Sequence, residues 1–136
     1  MSVGVVIVTH YRLGEEFLQV LDLIVPERPP FSAVSVDPKQ PVDEMRAAIA
    51  EAIRARDAGD GVLVLTDMFG GTPSNISLSF LREQRVEVVT GVNLPMLIKL
   101  ATLRENKPLE ELAPFIASYG QRNISVASQI LPEDRT

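Results

Sequence analysis

Cysteine is absent from this 136-residue chain, and histidine occurs once. Without cysteine there is no disulfide, no thiolate chemistry and no cysteine-based metal site. With one histidine, a multi-histidine metal centre within one chain is excluded too. Aromatic residues make up 5% of the sequence, so no aromatic-lined ligand pocket is evident. No apolar run approaches the roughly 18 residues of a membrane span. The apolar start has no basic segment before it and carries His10 and Arg12, which does not fit a signal peptide. The formal net charge of −5 is the wrong sign for a sequence-independent nucleic-acid binder, which needs clustered Lys and Arg. Low-complexity tracts and internal repeats are also missing. The expectation is one soluble cytoplasmic domain over residues 1–136. A chain of this size can bury roughly two thirds of its unfolded surface.

What is present begins with Val3–His10, a run of β-branched and small apolar residues that ends in the single histidine. It is too short for an ordinary helix, and its continuous apolarity suits a strand buried on both faces, as in a parallel sheet. Gly61–Asp67 repeats the design, closing with Thr66 and Asp67 where the first closes with Thr9 and His10. Two such parallel strands aim an imidazole and a carboxylate into one crevice at the carboxyl end of the sheet, where open α/β sheets bind ligands.

The rest of the chain alternates accordingly. Glu15–Val25 reads as a helix with Phe17, Leu18, Leu21 and Ile24 at helical spacing, ended by Pro26 and Pro29-Pro30. Phe31–Val36 reads as a short strand. Val42–Arg56 is the clearest helix, with Met45, Ile49, Ala52 and Ile53 on one face, and the Gly59-Asp60-Gly61 stretch stops it. Val62–Leu65 is a third strand, and a helix capped by Thr72 with Pro73 in its first turn runs to about Leu81. Val86–Thr90 is a fourth strand. Helices follow from Leu94 to Leu103 and from Leu109 to Tyr119, with Pro114 an irregularity and Gly120 the stop. Asn123–Ile130 reads as a last strand, and the tail from about residue 131 as frayed. Right-handed βαβ units then give an α/β three-layer sandwich with a mostly parallel central sheet and helices on both faces. The last strand is odd, because no helix follows it and its alternation is imperfect. It is either an antiparallel edge strand of its own sheet or one that reaches to a neighbouring molecule.

Histidine at such a rim can be a metal ligand, a general base or a nucleophile. One His with one or two carboxylates makes a thin metal site. Thr72 and Ser74 offer hydroxyls, but the surrounding Gly-Gly-Thr-Pro-Ser is not the nucleophile elbow of serine hydrolases. That leaves His10 itself as nucleophile. Asp67 accepting a proton from Nδ1 would leave Nε2 bare for attack and would stabilise the ring as it becomes cationic. If the electrophile is phosphorus, Gly70, Gly71 and Thr72 supply closely approaching backbone N–H groups, and the Thr72 and Ser74 hydroxyls can add bonds.

Each of these residues has a plainer reading. The glycines can be turn residues, Thr72 a helix cap, and Asp67 a partner for loop amides. Arg12 is either a phosphate clamp or a solvated charge. Met68 and Phe69, apolar in a polar loop, are either packing lids or a contact for a partner. Asn93 lies on the same rim, where turn chemistry alone would account for Gly91-Val92-Asn93.

Three segments together resemble the IIA domain of the mannose-type (type-4) sugar phosphotransferase system. They are Ile7–His10, Leu65–Asn75 (LTDMFGGTPSN) and Thr90–Leu97 (TGVNLPML), and the likeness covers essentially the whole chain. The resemblance implies a phosphocarrier that needs no cofactor. His10 would accept a phosphoryl group from phospho-HPr and pass it to a IIB component, which associates with a membrane permease. Asp67 would stand beside the histidine and Thr72 near the phosphoryl group. The resemblance also implies a homodimer that exchanges its terminal strand, which would account for Asn123–Ile130. Phe69 stands where the best-known sugar-transport members have Trp. Two other roles use the same residues: a regulatory IIA protein whose His10 phosphorylation state controls another protein, and a small-molecule-binding module with His10 as a specificity group.

Overall fold

The structure, a computed structural model of the chain, describes residues 2–81 and 85–131. Strand β1 (Gly4–His10) has its five interior residues buried, and β3 (Val62–Thr66) is buried throughout. These are the two continuous apolar runs, and they occupy the middle of a four-stranded sheet. The more polar β2 (Ser32–Val36) and β4 (Val86–Thr90) flank them, giving the order β2-β1-β3-β4. All three pairings are parallel. From β1 the chain steps outward to β2; from β3 it steps outward to β4 in the opposite direction. The point where the winding reverses lies between β1 and β3, and crevices form at such points.

Side-chain alternation divides the core into two layers. Val5, Ile7, Leu63 and Leu65 face one way. They pack against Leu21 of α1 (Leu13–Ile24), Leu97 of α4 (Leu94–Thr102) and Ile116 of α5 (Leu109–Arg122). Val6, Val8, Val62 and Val64 face the other way, against α2 (Val42–Arg56) and α3 (Thr72–Leu78). Met45, Ile49 and Ile53, four residues apart along α2, are all buried. A fully buried side chain of this size contributes roughly 1.5–3 kcal/mol. His10 continues the Val6–Val8 alternation, so its strand position belongs to the α2/α3 face.

Several boundaries differ from expectation for identifiable reasons. Gly120 does not end α5; it is buried inside it, and a Cβ there would lie 2.5 Å from Met96 Sδ. Glycine at this position lets α4 and α5 approach closely. Pro114 also lies inside α5 without ending it. Helix α3 stops at Leu78 rather than near Leu81. The Ser77 hydroxyl donates to Pro73 O at 2.7 Å and the Ser79 hydroxyl to Ile76 O at 2.6 Å, and such side-chain bonds compete with helix continuation. Thr72 is the first residue of α3 rather than its cap; Gly71 occupies the cap position.

The expected strand at Asn123–Ile130 is not formed. Asn123 ends α5, three residues follow without regular structure, and Ala127–Ile130 make the short helix α6. Among the described residues this segment pairs with no strand of the sheet. Residues 121–131 are all exposed, with Ile124 at 76% and Ile130 at 68%. The frayed tail expected from about residue 131 lies, past Leu131, outside the described residues. Among the described residues no helix is long and apolar enough to cross a membrane.

Candidate functional site

The carboxyl ends of β1 and β3 meet as the matching Thr-His and Thr-Asp closures predict. Val8 pairs with Thr66 in the parallel ladder, so His10 projects two residues beyond that pair and Asp67 one. His10 Nδ1 lies 2.8 Å from Asp67 Oδ2. The backbone N–H of His10 donates to the same oxygen at 3.0 Å, and the N–H of Met68 donates to Oδ1 at 3.1 Å. An ionised carboxylate only accepts, so opposite an ionised Asp67 the shared proton would sit on Nδ1 and leave the Nε2 lone pair free. The Asp67 side chain is 13% exposed and that of His10 34%. The acid is held in the wall of the crevice while the imidazole reaches water.

The turn that delivers His10 is fastened from beneath. Thr9 is fully buried; its hydroxyl accepts from Gly14 N–H at 2.7 Å and donates to Tyr11 O at 3.4 Å. Tyr11 adopts a left-handed φ of 46°, uncommon for a residue with a side chain, and its N–H donates to Val36 O at 2.8 Å. The chain therefore turns sharply at the end of β1 instead of continuing over the site. The Thr9 lock and the Tyr11 conformation were not read from the sequence. Thr9 carries a signal in its place before the histidine, whereas nothing in the residue type foretells a left-handed tyrosine.

The loop after β3 divides the other candidates. Gly70 takes a left-handed φ of 88°. Gly71 stands beside the His10 ring, and Thr72, half-buried, opens α3. The N–H groups of Thr72 and Ser74 in that first turn have no carbonyl four residues upstream within the helix to bond. The Ser74 side chain does not join them. It is fully buried, and its hydroxyl has no hydrogen-bond partner among the described residues. It faces the interior, so the expected contact from Ser74 to an incoming group is not supplied by its hydroxyl. Thr66, also buried, has an unpartnered hydroxyl as well.

On the rim, Met68 and Phe69 are exposed (54% and 71%), as are Tyr11 and Leu13. Their exposure favours the contact reading of Met68 and Phe69 over the lid reading. Arg12 pairs with Glu15 at 3.1 Å on the surface. Asn93 turns inward. Its Oδ1 accepts from Met96 N–H at 3.1 Å, capping α4, and its Nδ2 donates to Gly120 O at 3.1 Å. Both ends of the amide are engaged within the chain, which replaces the expected partner contact with a structural one. Asn93→Ala removes a cap and one of the two hydrogen bonds to the Gly120 carbonyl, which keeps the Asn123 N–H, so a loss of about 1–2 kcal/mol is expected. It would appear as a lower urea midpoint at unchanged slope. Among the described residues no group of three or more His, Cys, Asp or Glu side chains is arranged to hold a metal ion.

A family model described as the PTS system fructose IIA component matches residues 4–117. The chain belongs to this fructose/mannose-type IIA family of the phosphotransferase system. Over 76 residues it is 41% identical to the PTS system fructose-specific EIIA component of Bacillus subtilis, an alignment covering 55% of this chain and 52% of that protein. The chain thus spans about half the length of that relative. It is 29% identical over 109 residues to the PTS system sorbose-specific EIIA component of Lacticaseibacillus casei, covering 79% of this chain and 78% of the other. The mannose/sorbose specific IIA subunit from Enterococcus faecalis superposes with a TM-score of 0.85 at 30% identity, covering 98% of each chain. For this IIA chain, then, the four-stranded parallel sheet and its flanking helices are a shared family architecture.

Proposed function

We propose that this IIA chain is a phosphocarrier that works in the cytoplasm, taking a phosphoryl group from phospho-HPr on His10 Nε2 and passing it to a IIB component. The observation that carries this reading is the 2.8 Å contact between His10 Nδ1 and Asp67 at the point where the sheet reverses its winding. The Nε2 lone pair attacks phosphorus, the new N–P bond forms, and the N–P bond of the donor histidine breaks. Its electron pair stays with the donor imidazole. The His10 ring, still protonated on Nδ1, becomes cationic, and the Asp67 carboxylate stabilises that charge as it develops. The same sequence run backwards, with the IIB component as acceptor, empties the site. The backbone N–H groups of Gly70, Gly71 and Thr72 are the candidates to receive the phosphoryl oxygens. Tyr11, Leu13, Met68 and Phe69 form an exposed apolar rim of the kind that marks a protein-docking surface.

The test is incubation of the whole protein with phosphoenolpyruvate, enzyme I and HPr. One acid-labile, base-stable phosphoryl group per chain is expected, and it should leave when a IIB component is added. A protein that stays unlabelled under conditions that fully phosphorylate HPr would refute the proposal.

The functional form proposed is a homodimer in which the 123–131 segment crosses to the partner. Ile124, Val126, Ile130 and Leu131 are exposed along it. Strand β4 pairs only with β3 among the described residues, so its outer edge has backbone groups open for an added strand. Sedimentation at micromolar protein is expected to show a dimer, and the double variant Ile124→Asp/Ile130→Asp a monomer. A wild-type monomer at that concentration sinks the exchange.

A further inference from the structure

Two adjacent glycines in the loop after β3 are needed for different reasons. At Gly70 the backbone is left-handed, with φ +88°, yet a Cβ would meet nothing within 4 Å. At Gly71 the φ of −85° is one that any residue adopts. A Cβ there would nevertheless lie 2.6 Å from His10 Cε1 and 3.1 Å from His10 Nε2. The first position requires a backbone conformation; the second requires empty space, and that space is filled by the edge of the imidazole.

The atoms in the way belong to the tip of a side chain, not to backbone. Histidine swings on two rotatable bonds, so a larger residue at 71 displaces the ring before it disturbs the fold. The opposite edge of that ring is tied, through Nδ1, to Asp67 at 2.8 Å. A swing away from position 71 strains or breaks this bond, because hydrogen bonds weaken steeply as they lengthen and bend. The imidazole is therefore gripped on both edges: by a carboxylate at Nδ1 and by bare backbone at Cε1–Nε2. A group arriving at Nε2 must come past the face left open to solvent.

We propose that Gly71 is a positioning residue for His10. Its missing side chain sets the one ring pose in which Asp67 holds the proton on Nδ1 and Nε2 stays open. The functional consequence rests on the phosphocarrier reading; the ring pose does not. The experiment compares the full chain as wild type, Gly71→Ala, Gly71→Val and Gly70→Ala. Ring 15N–1H correlation spectra at about pH 8.5, above the ordinary imidazole pKa, report which nitrogen carries the proton. Wild type is expected to show the Nδ1–H tautomer alone. Gly71→Ala is expected to show a mixture with Nε2–H, and to slow phosphoryl transfer from phospho-HPr roughly 10–100-fold. Its thermal midpoint and its KM for the donor are expected to stay near the wild-type values. Gly71→Val extends both spectral and kinetic effects. Gly70→Ala lowers the midpoint and leaves the tautomer alone.

A Gly71→Ala protein with the wild-type tautomer overturns the proposal, whatever its rate. So does one that fails to fold, since the obstructed atoms would then not be a yielding ring. A wild type that accepts no phosphoryl group, but whose tautomer shifts in Gly71→Ala, removes the carrier function and leaves the positioning role standing.

Discussion

His10→Ala abolishes labelling by the phosphoenolpyruvate, enzyme I and HPr cascade: the expected signal is zero, not a reduced rate. Few deletions are so absolute, but here no second imidazole and no thiol is available to take the group. The chain has no other histidine and no cysteine, and the one buried hydroxyl in the first turn of α3, that of Ser74, faces the interior. The substitution is mild for the fold. The ring is a third exposed and makes one side-chain bond, to Asp67, so its removal costs about 1 kcal/mol. The Asp67 carboxylate keeps the N–H groups of His10 and Met68, both backbone donors that survive the change. Loss of label in a variant that still unfolds cooperatively therefore assigns the chemistry to the imidazole. Label that persists in the variant, at wild-type stoichiometry, removes His10 from the reaction.

Asp67→Asn is expected to cut the rate of phosphoryl transfer by about 10²–10⁴-fold while leaving the fold intact. The amide keeps the shape of the carboxylate, and its one acceptor oxygen serves one of the two loop N–H groups, which bond different oxygens of Asp67. What it loses is the negative charge and the certainty that the partner of Nδ1 is an acceptor. An amide N–H turned toward Nδ1 would move the ring proton to Nε2 and block the attacking lone pair. The charge that forms on the ring during transfer would also go unanswered. Asp67→Ala is the poorer test, because it strands the N–H groups of His10 and Met68. Each unsatisfied donor costs roughly 1–3 kcal/mol, which confuses stability with chemistry. Single-turnover rates for the Asn variant separate the two. A rate within a factor of about three of wild type would mean that Asp67 only ties down the loop.

The middle of the sheet was the most legible part of the molecule. A strand covered on both faces must be apolar at every position, so the runs in β1 and β3 betrayed their central places without any knowledge of topology. The His10–Asp67 pairing was legible for the same reason, since parallel neighbours end at the same rim. The helix face of Met45, Ile49 and Ile53 needed only the 3.6-residue period. The less legible features depend on distances between elements. Gly120 looks like a helix stop until Met96 is seen against it. Ser74 and Thr72 are two residues apart, and which hydroxyl faces the crevice is decided by how α3 seats on the sheet. Asn93, just ahead of Leu94-Pro95, did carry a readable cap signal, which its place on the rim obscured. The strand expected at Asn123–Ile130 depends on a pairing that this segment does not make within the chain.

The attachment of His10 to β1 has a consequence for motion. Proteins open piecemeal, outer segments first, and amide hydrogen exchange ranks the pieces by the free energy of each opening. A nucleophile carried on a lid or a long loop would sample many poses through such local breathing. Here the imidazole rides on an inner strand hydrogen-bonded on both sides, the element expected to open last. Backbone opening near the site is therefore expected first in the loop after β3, while the backbone that carries His10 stays with the central sheet.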